Sequence, residues 1–588
     1  MAEYRPPLTD LRFTLEHVVG YPEVSALPGF EHADLDTVVE LLDSYGEFVT
    51  KVIAPTNRIG DTEGVKYHPD GSVTVPQAFK DAYRTYVETG WGSVPMPQQF
   101  GGEGFPRTVG LAMQEMITSA NMSFALGPLL TQGAIEALTA VGTEELQQRF
   151  LPKMVTGEWA GTMNLTEPQA GSDVGALTTR AVRREDGTYS ITGQKIFISF
   201  GEHDLTDQIV HLVLARTPDA PEGTRGISCF VVPKFLVNDD GSLGERNGVR
   251  ALSVEHKMGI HGSPTCVMSY EDATGYLLGE ENRGMSIMFI MMNTARTSVG
   301  LEGVALAERA YQDALAYAKQ RIQGHAPGSS EPSPIIEFPD VRRMLLTQQA
   351  SIAALRRLIL LHGAQVDLST HHPDAAVRER ASEVVALLTP ICKSFGSDQG
   401  IELTSLALQV HGGSGYIEET GVAQHYRDAR IAAIYEGTNG IQAADLVGRK
   451  LPVRDGASAL EFIEQLRALD DELAEAGDDF AAIRSQLEIH LSALKRTTEW
   501  MLRAGVTDPR AVLAGSSPYL RMWGLCVCAW LLAKSALAAG SIGDDSAAEQ
   551  LVLARFYAQQ LLPQVSALES AATAGADDLC AFDAVPVR

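Results

Sequence analysis

Basic residues are scarce in this chain. Lys and Arg number 47 against 74 Asp and Glu in 588 residues, a formal net charge of -27. So acidic a protein repels a phosphate backbone, which argues against general nucleic-acid binding but not against a local basic pocket for a phosphorylated small molecule. Cysteine is rarer still, with Cys229, Cys266, Cys392, Cys526, Cys528 and Cys580. None has metal-ligand spacing, and Cys526 and Cys528 are too close for the two-residue gap of zinc and redox pairs. Buried free thiols in a reducing cytosol are expected. Long apolar runs are missing as well. The longest, residues 522–533, falls short of the roughly 20 residues that span a bilayer and reads as a buried C-terminal helix, with contact at a membrane surface as the alternative. The opening residues are charged early and carry no apolar run, so no secretory signal is expected and the chain reads as cytoplasmic. The fingerprints G-x-G-x-x-G, G-x-x-x-x-G-K-[ST], H-E-x-x-H and G-x-S-x-G are all absent.

What is present is ordinary globular composition, 45% hydrophobic and 21% charged, on a chain too long for one core. Residues 1–35 show little periodicity and read as an N-terminal extension. From residue 36 the pattern turns helical: Leu35, Val38, Val39, Leu42 and Tyr45 recur at three- and four-residue steps. A second helical run, 111–126, is bounded by Gly110 and Gly127-Pro128, and Thr143 followed by Glu145 and Leu146 reads as a helix start. The texture changes over 163–283. Segments 189–199, 209–215 and 227–232 favour β-branched and aromatic residues, punctuated by Asp186-Gly187, Asp240-Gly241 and Asn247-Gly248. This predicts a small barrel or sandwich. Helical texture returns over 284–450, broken by a polar loop at 324–334, and an Ala- and Leu-rich helical block follows over 451–588. The order predicts an α+β multidomain chain: a helical domain (36–162), a β domain (163–283), a second helical domain (284–450) and a C-terminal helical domain (451–588). It argues against a fold of alternating strands and helices.

Four segments hold residues suited to chemistry. In 163–173, Thr166, Ser172 and the backbone around Gly171 can offer hydrogen bonds from a tight turn to a polar cofactor edge; the same residues also read as a plain structural turn. In 195–199, Phe197 and Ser199 fall on one face of a strand, where a ring and a hydroxyl could hold a flat ring system, or where one face simply packs. In 409–416, Gln-Val-His-Gly-Gly-Ser-Gly-Tyr, glycines end a helix and let a backbone pass close by; His411 there reads as structural before it reads as a base. In 434–442, Glu436 sits among apolar residues, where desolvation would raise its pKa and suit it to general-base work. A Glu opening a helix is equally what the helix dipole favours.

In order and approximate spacing, 163–173, 195–199, His256-Lys-Met-Gly259, 409–416 and Tyr435-Glu-Gly-Thr438 resemble the acyl-CoA dehydrogenases. The resemblance covers residues 36–450. The opening residues and the tail after 450 are similar to a longer bacterial subgroup that includes 3-methylmercaptopropionyl-CoA dehydrogenases and broad-range fatty acyl-CoA dehydrogenases. It implies a helical domain, a β domain and a four-helix bundle, with FAD between the last two. Met163, Leu165, Thr166, Gly171 and Ser172 would line the flavin, with Thr166 bonding the ring. Phe197 stands where the family usually has Trp, beside Ile198, and Ser199 stands for a Thr that bonds near flavin N5. Arg321 matches the arginine that reaches the FAD pyrophosphate of a neighbouring subunit, although Ile322-Gln323 departs from the usual Lys-Thr-Phe. Gln409, Val410, Gly412 and Gly413 match the backbone that crosses the other subunit's adenosine portion. Thr438 would contact the flavin, and Gly440 replaces a family Gln. For CoA, Ser172 and Gly437 match substrate-contacting positions. Asn293-Thr-Ala-Arg296 resembles a helical Asp-x-x-Arg near the CoA adenine, with Arg296 kept and Asn293 departing in charge.

Some members of the family carry the base immediately before that Arg. Here the position is Ala295, which cannot take a proton, so the resemblance implies Glu436 as the base. The implied activity is FAD-dependent α,β-dehydrogenation of an acyl-CoA to a trans-2-enoyl-CoA, as in fatty acid β-oxidation. Electron-transfer flavoprotein is the implied acceptor, and a homodimer or larger homo-oligomer the implied assembly. Medium or long straight acyl chains are the first expectation, and the short thioether acyl group of 3-methylmercaptopropionyl-CoA is the alternative. Other classes are an oxidase, a nitroalkane oxidase and a DNA-associated protein on the same fold. Glu at 436 speaks against the nitroalkane reading, which uses Asp. The acidic stretch 443–588, with Asp470-Asp-Glu472 and Asp544-Asp545, speaks against DNA.

Overall fold

Residues rich in β-branched and aromatic side chains pair between 159 and 278 into a seven-stranded sheet. The structure, a computed structural model, describes residues 2–543 and 546–582; Asp544 and Asp545 lie outside the described residues. The strands are β1 (Trp159–Asn164), β2 (Arg180–Arg183), β3 (Tyr189–Ser199), β4 (Gln208–Ala215), β5 (Ser228–Pro233), β6 (Val249–Val254) and β7 (Thr265–Leu278). Their order is β1-β4-β5-β7-β3-β2, with β6 also paired to β7. β1 and β4 run parallel and the other pairs antiparallel. Backbone bonds between Ala181, Thr179 and Arg216 return β2 to the end of β4, so the sheet curls nearly closed. This is the small barrel the turn spacing predicts. Ile191, Ile198, Val213, Phe230, Val232, Met268 and Tyr270 fill its interior.

The chain divides into two units. Residues 44–105 and 116–298 form the unit that holds the sheet; residues 1–43, 106–115 and 299–588 form a helical unit. In the helical unit, helices Gly284–Gln320 (from residue 299) and Ala375–His411 run side by side and very close. A Cβ added to Gly303 would lie 2.1 Å from the Gly396 carbonyl oxygen, and one added to Gly300 2.2 Å from that of Cys392. Only hydrogen in place of a side chain permits this approach. Helix Pro509–Ile542 is long and apolar enough to cross a membrane, as are Arg107–Val141 and Pro339–His371. Its 522–533 stretch is buried within the helical unit, with Trp523, Leu531 and Leu532 fully covered, so the expected buried C-terminal helix is there.

Three expectations are corrected. Residues 1–35, read as an extension of little periodicity, hold two helices, Leu8–His17 and Tyr21–Ser25. The first is pinned through Asp10, which pairs with Arg357 at 2.8 Å and with Arg356; Arg356 also binds Glu115 and Glu308. The helical run does not end at Gly127-Pro128 but continues to Val141. Its geometry breaks instead at Asn121 (φ -162, ψ 96), whose side chain caps Phe124 N–H at 3.1 Å and donates to Thr56 at 2.8 Å. That bond replaces what the backbone loses there. Of the six cysteines, five are buried and Cys580 is exposed, because helix Asp577–Cys580 buries none of its residues.

Candidate active site

In the sheet unit, β1 delivers the chain into the 163–173 turn, and one buried ion pair shapes it. Glu167 and Lys195 are almost fully buried and lie 2.8 Å apart. Glu167 also accepts from the backbone N–H and hydroxyl of Thr178 (2.7 and 2.9 Å) and of Thr179 (3.1 and 2.6 Å). Lys195 donates to the Leu165 carbonyl at 2.9 Å, and Ile196 N–H to that of Thr166 at 2.9 Å. The turn itself closes through mutual backbone bonds of Glu167 and Ala170. Burial alone would raise the Glu167 pKa, but the Lys195 charge and these donors bring it down to about 2. The pair is therefore ionised at neutral pH and fastens Leu165 and Thr166 to β3.

β3 then makes a bulge. Its register against β7 shifts between Lys195 and Ile198, and Phe197 takes a left-handed φ of 58. A non-glycine residue held there is uncommon and marks a backbone over-determined by its surroundings. The result is a Phe197 ring 59% exposed beside the buried Ile198 and the half-buried Ser199. The Thr166 and Ser199 carbonyls are taken by Ile196 N–H and the Thr162 hydroxyl, so hydroxyls are what these two residues have to offer a ligand. Met163, Leu165 and Thr166 are half-buried, and Gly171 and Ser172 exposed. Asn293 is exposed, while Ala295 and Arg296 are buried, the Arg296 guanidinium 5.5 Å from the Phe289 ring centroid.

In the helical unit, Glu436 is half-buried and also left-handed, at φ 57, followed by Gly437 at φ 82. Its backbone is held from both sides. Gln442 donates to the Glu436 and Gly437 carbonyls at 3.3 Å each. Thr438 caps helix Asn439–Asp445, accepting from Ile441 N–H at 3.3 Å. Asn439 is anchored to helix Ala375–His411: it accepts from Lys393 at 2.8 Å and donates to Asp398 at 2.7 Å and Ser397 at 3.0 Å. Tyr435, just before the expected base, donates to the buried Glu302. Motif reading misses Glu302, Lys393, Asn439 and Gln442. The available signal was polar residues inside apolar helical runs, Glu302 in Val-Gly-Leu-Glu-Gly-Val-Ala-Leu above all.

At one end of the paired helices, the His411 and Tyr317 rings lie 4.6 Å apart, and His411 is bonded to the Ala407 carbonyl at 2.7 Å. Burial lowers its pKa, and the geometry is that of a helix-end residue. Val410 belongs to the core with Ala314 and Ala318, so only its backbone is available to a ligand. Gln409, Gly412, Gly413 and Gly440 are exposed. Exposed Arg321 donates to Gln323 at 2.9 Å.

The sheet unit offers an uncovered aromatic ring and uncharged hydroxyls, which suit a flat ring with polar edges, and the helical unit offers glycine backbone and an exposed arginine, which suit a phosphate-bearing portion. Each set fits a part of FAD.

Known proteins add the identity. The N-terminal, middle and C-terminal domains of acyl-CoA dehydrogenases match residues 36–158, 162–273 and 282–451, and an acetyl-CoA dehydrogenase C-terminal-like domain matches 461–583. The chain is 46% identical over 583 residues to 3-methylmercaptopropionyl-CoA dehydrogenase of Ruegeria pomeroyi, covering 98% of this chain and 99% of that one. It is 34% identical over 604 residues to the broad-specificity linear acyl-CoA dehydrogenase FadE5 of Mycobacterium tuberculosis, covering 96% of each. Its fold is like that of a Bacillus anthracis acyl-CoA dehydrogenase solved with FAD, with TM-score 0.76 at 21% identity over 97% of this chain and 92% of that one. Successive matches along nearly the whole length place the chain in the acyl-CoA dehydrogenase family, as an FAD-dependent oxidoreductase acting on CH–CH bonds.

Proposed function

We propose that the chain oxidises an acyl-CoA to the trans-2-enoyl-CoA with Glu436 as the base that takes the α proton. The observation that carries this is the left-handed Glu436 in the helical unit, held after it by Gln442 on its carbonyl and before it by Tyr435 on Glu302. A strained backbone fixed from both sides is what a base needs if its carboxylate is to meet one carbon and no other. When bound, FAD supplies the acceptor for the β hydrogen. Met163, Leu165, Thr166, Phe197 and Ser199 would hold its ring, and Arg321 with 409–413 its distal portion in a homodimer. The backbone N–H of Glu436 donates to the thioester oxygen as α-proton removal builds charge there; losing one such donor costs about 10²-fold or more.

Two acyl classes remain. Whole-length likeness at 46% to a 3-methylmercaptopropionyl-CoA dehydrogenase supports the short thioether chain over the medium or long straight chains first expected. Likeness to a linear acyl-CoA dehydrogenase supports the second reading. Electron-transfer flavoprotein as acceptor, a place in β-oxidation and a cytoplasmic location belong to the same proposal; five buried free cysteines agree with a reducing compartment.

The test is anaerobic titration of the holoenzyme with short-, medium- and long-chain acyl-CoAs and 3-methylmercaptopropionyl-CoA, following the flavin absorbance. Bleaching by the thioether substrate at lowest concentration is expected, and bleaching by long chains alone favours the second reading. Glu436→Gln retains FAD and fold and loses about 10³-fold or more in reduction rate; near-native reduction in that variant rejects the assignment.

A further inference from the structure

Glu302 is a carboxyl group in a place that should not tolerate one. It projects from the apolar run 299–306 of helix Gly284–Gln320, between the two glycines that bring this helix onto Ala375–His411, and is 1% exposed. One oxygen accepts the Tyr435 hydroxyl; the other meets no hydrogen-bond partner among the described residues. An ionised carboxylate so poorly supplied with donors is costly, and a neutral one much less so. The charged and titratable groups acting on it come from two elements: Tyr435 and Glu436 from the loop, and Lys393 from helix Ala375–His411. Burial chiefly, with the Glu436 charge adding to it, raises the Glu302 pKa to about 8, against the opposing pull of the Tyr435 hydrogen bond and Lys393.

We propose that Glu302 is a positioning residue for the base: as a neutral carboxyl it clamps Tyr435, and through it the Glu436 peptide, while leaving the negative charge of the pair on Glu436. This rests on Glu436 being the base. The arrangement has a direction. The raised pKa keeps Glu302 protonated at neutral pH. Above about pH 8 a second carboxylate appears beside that of Glu436. That second charge opposes the negative charge that builds on the substrate oxygen as the α proton leaves. Substrate oxidation therefore slows as pH rises through that value.

The experiment compares wild-type holoenzyme with Glu302→Gln. The amide keeps the shape and an acceptor for Tyr435 but cannot ionise. Two readouts are taken: the pH profile of anaerobic flavin reduction, and the infrared C=O band of a protonated buried carboxyl. The expected result is an alkaline fall in wild type that is lost in Glu302→Gln, and a carboxylic-acid band at neutral pH that Glu302→Gln removes. A profile and band unchanged by the substitution overturn the proposal. A purely structural role would change yield or rate at every pH without moving the alkaline limb. If Glu302→Gln does not fold, Tyr435→Phe replaces it. Removing the hydroxyl takes away a pull that lowers the Glu302 pKa, so the limb moves to higher pH; an unmoved limb again overturns the proposal. Glu436→Gln separates the two readings. If it still reduces flavin, the base assignment has failed; if it is inactive while the Glu302→Gln profile matches wild type, only the positioning role has.

Discussion

Glu167 in the sheet unit and Glu302 in the helical unit are almost equally buried, 2% and 1% exposed, yet they hold opposite charge states. Glu167 collects Lys195 and the paired donors of Thr178 and Thr179, and its pKa falls. Glu302 collects one tyrosine hydroxyl, and its pKa rises. Surface exposure alone therefore does not decide ionisation here: Glu302 lies deeper in protein and has fewer donors, and both favour its neutral form. The difference also matches what each residue supports. A fully satisfied ion pair is a rigid fastener, suited to a turn whose backbone must not move. A sparsely satisfied carboxyl can change state near neutral pH, which suits a neighbour of a base.

The contrast breaks most visibly at Lys195. Lys195→Met leaves the Glu167 carboxylate buried without its counter-charge and frees the Leu165 carbonyl, at an expected cost of about 3–5 kcal/mol. Urea unfolding measures it, with FAD retention as the second readout, since the loosened turn carries Met163, Leu165 and Thr166. Replacing Glu167 and Lys195 together by methionine recovers much of the loss, because the orphaned charge is gone. A single-variant loss under about 1 kcal/mol would put the pair in the class of solvent-screened ion pairs and end the contrast.

A smaller effect comes from pH, with opposite signs for the two carboxyls. The lowered pKa of Glu167 means its stabilisation is fully present above the ordinary carboxylate range and is lost as pH falls toward about 2. The raised pKa of Glu302 means the folded chain keeps a proton that the unfolded chain gives up. Its burden on stability therefore grows as pH rises from the ordinary carboxylate range to about 8. Urea midpoints across pH should be flatter below the ordinary carboxylate range for Glu167→Gln, and flatter from that range up to about pH 8 for Glu302→Gln, relative to wild type. Buried His203 and His211, lowered to about 3 by burial, add an acid loss common to all three proteins. Parallel curves for the three would erase the distinction.

The same two residues show what was legible in the sequence. Alternation and turn pairs revealed the barrel, because a strand's period of two is local, and Thr143 declared a helix start that its side chain indeed caps at Leu146 N–H. The helices before residue 35 were missed although Leu8, Leu11 and Leu15 share a face, since the anchor that holds them is Asp10 on Arg356 and Arg357, hundreds of residues away. Asn121 hid its break behind the louder Gly127-Pro128. Around the candidate base the motif named Glu436 and Thr438. Glu302 and Lys393 could only be joined to them by the fold, because a contact between residues 302 and 435 has no signature in either neighbourhood.

The smallest effect is expected at Thr438, and it sharpens the comparison by asking whether a threonine near the base serves structure, as Thr178 and Thr179 do for Glu167. Its hydroxyl accepts from Ile441 N–H at 3.3 Å, capping a seven-residue helix that begins with the anchored Asn439. Thr438→Ala should cost about 1 kcal/mol by removing the cap, and Thr438→Ser should cost less because it keeps the oxygen. Urea unfolding of the apoprotein reads the cap alone, while FAD titration reads any contact with the cofactor. If Thr438→Ala weakens FAD binding by more than about tenfold, some 1.4 kcal/mol, with the apoprotein midpoint unmoved, the hydroxyl serves the ligand. If the midpoint falls and FAD affinity follows it only in proportion, the residue works as Thr178 and Thr179 do, holding a backbone in place for a neighbour that does the chemistry.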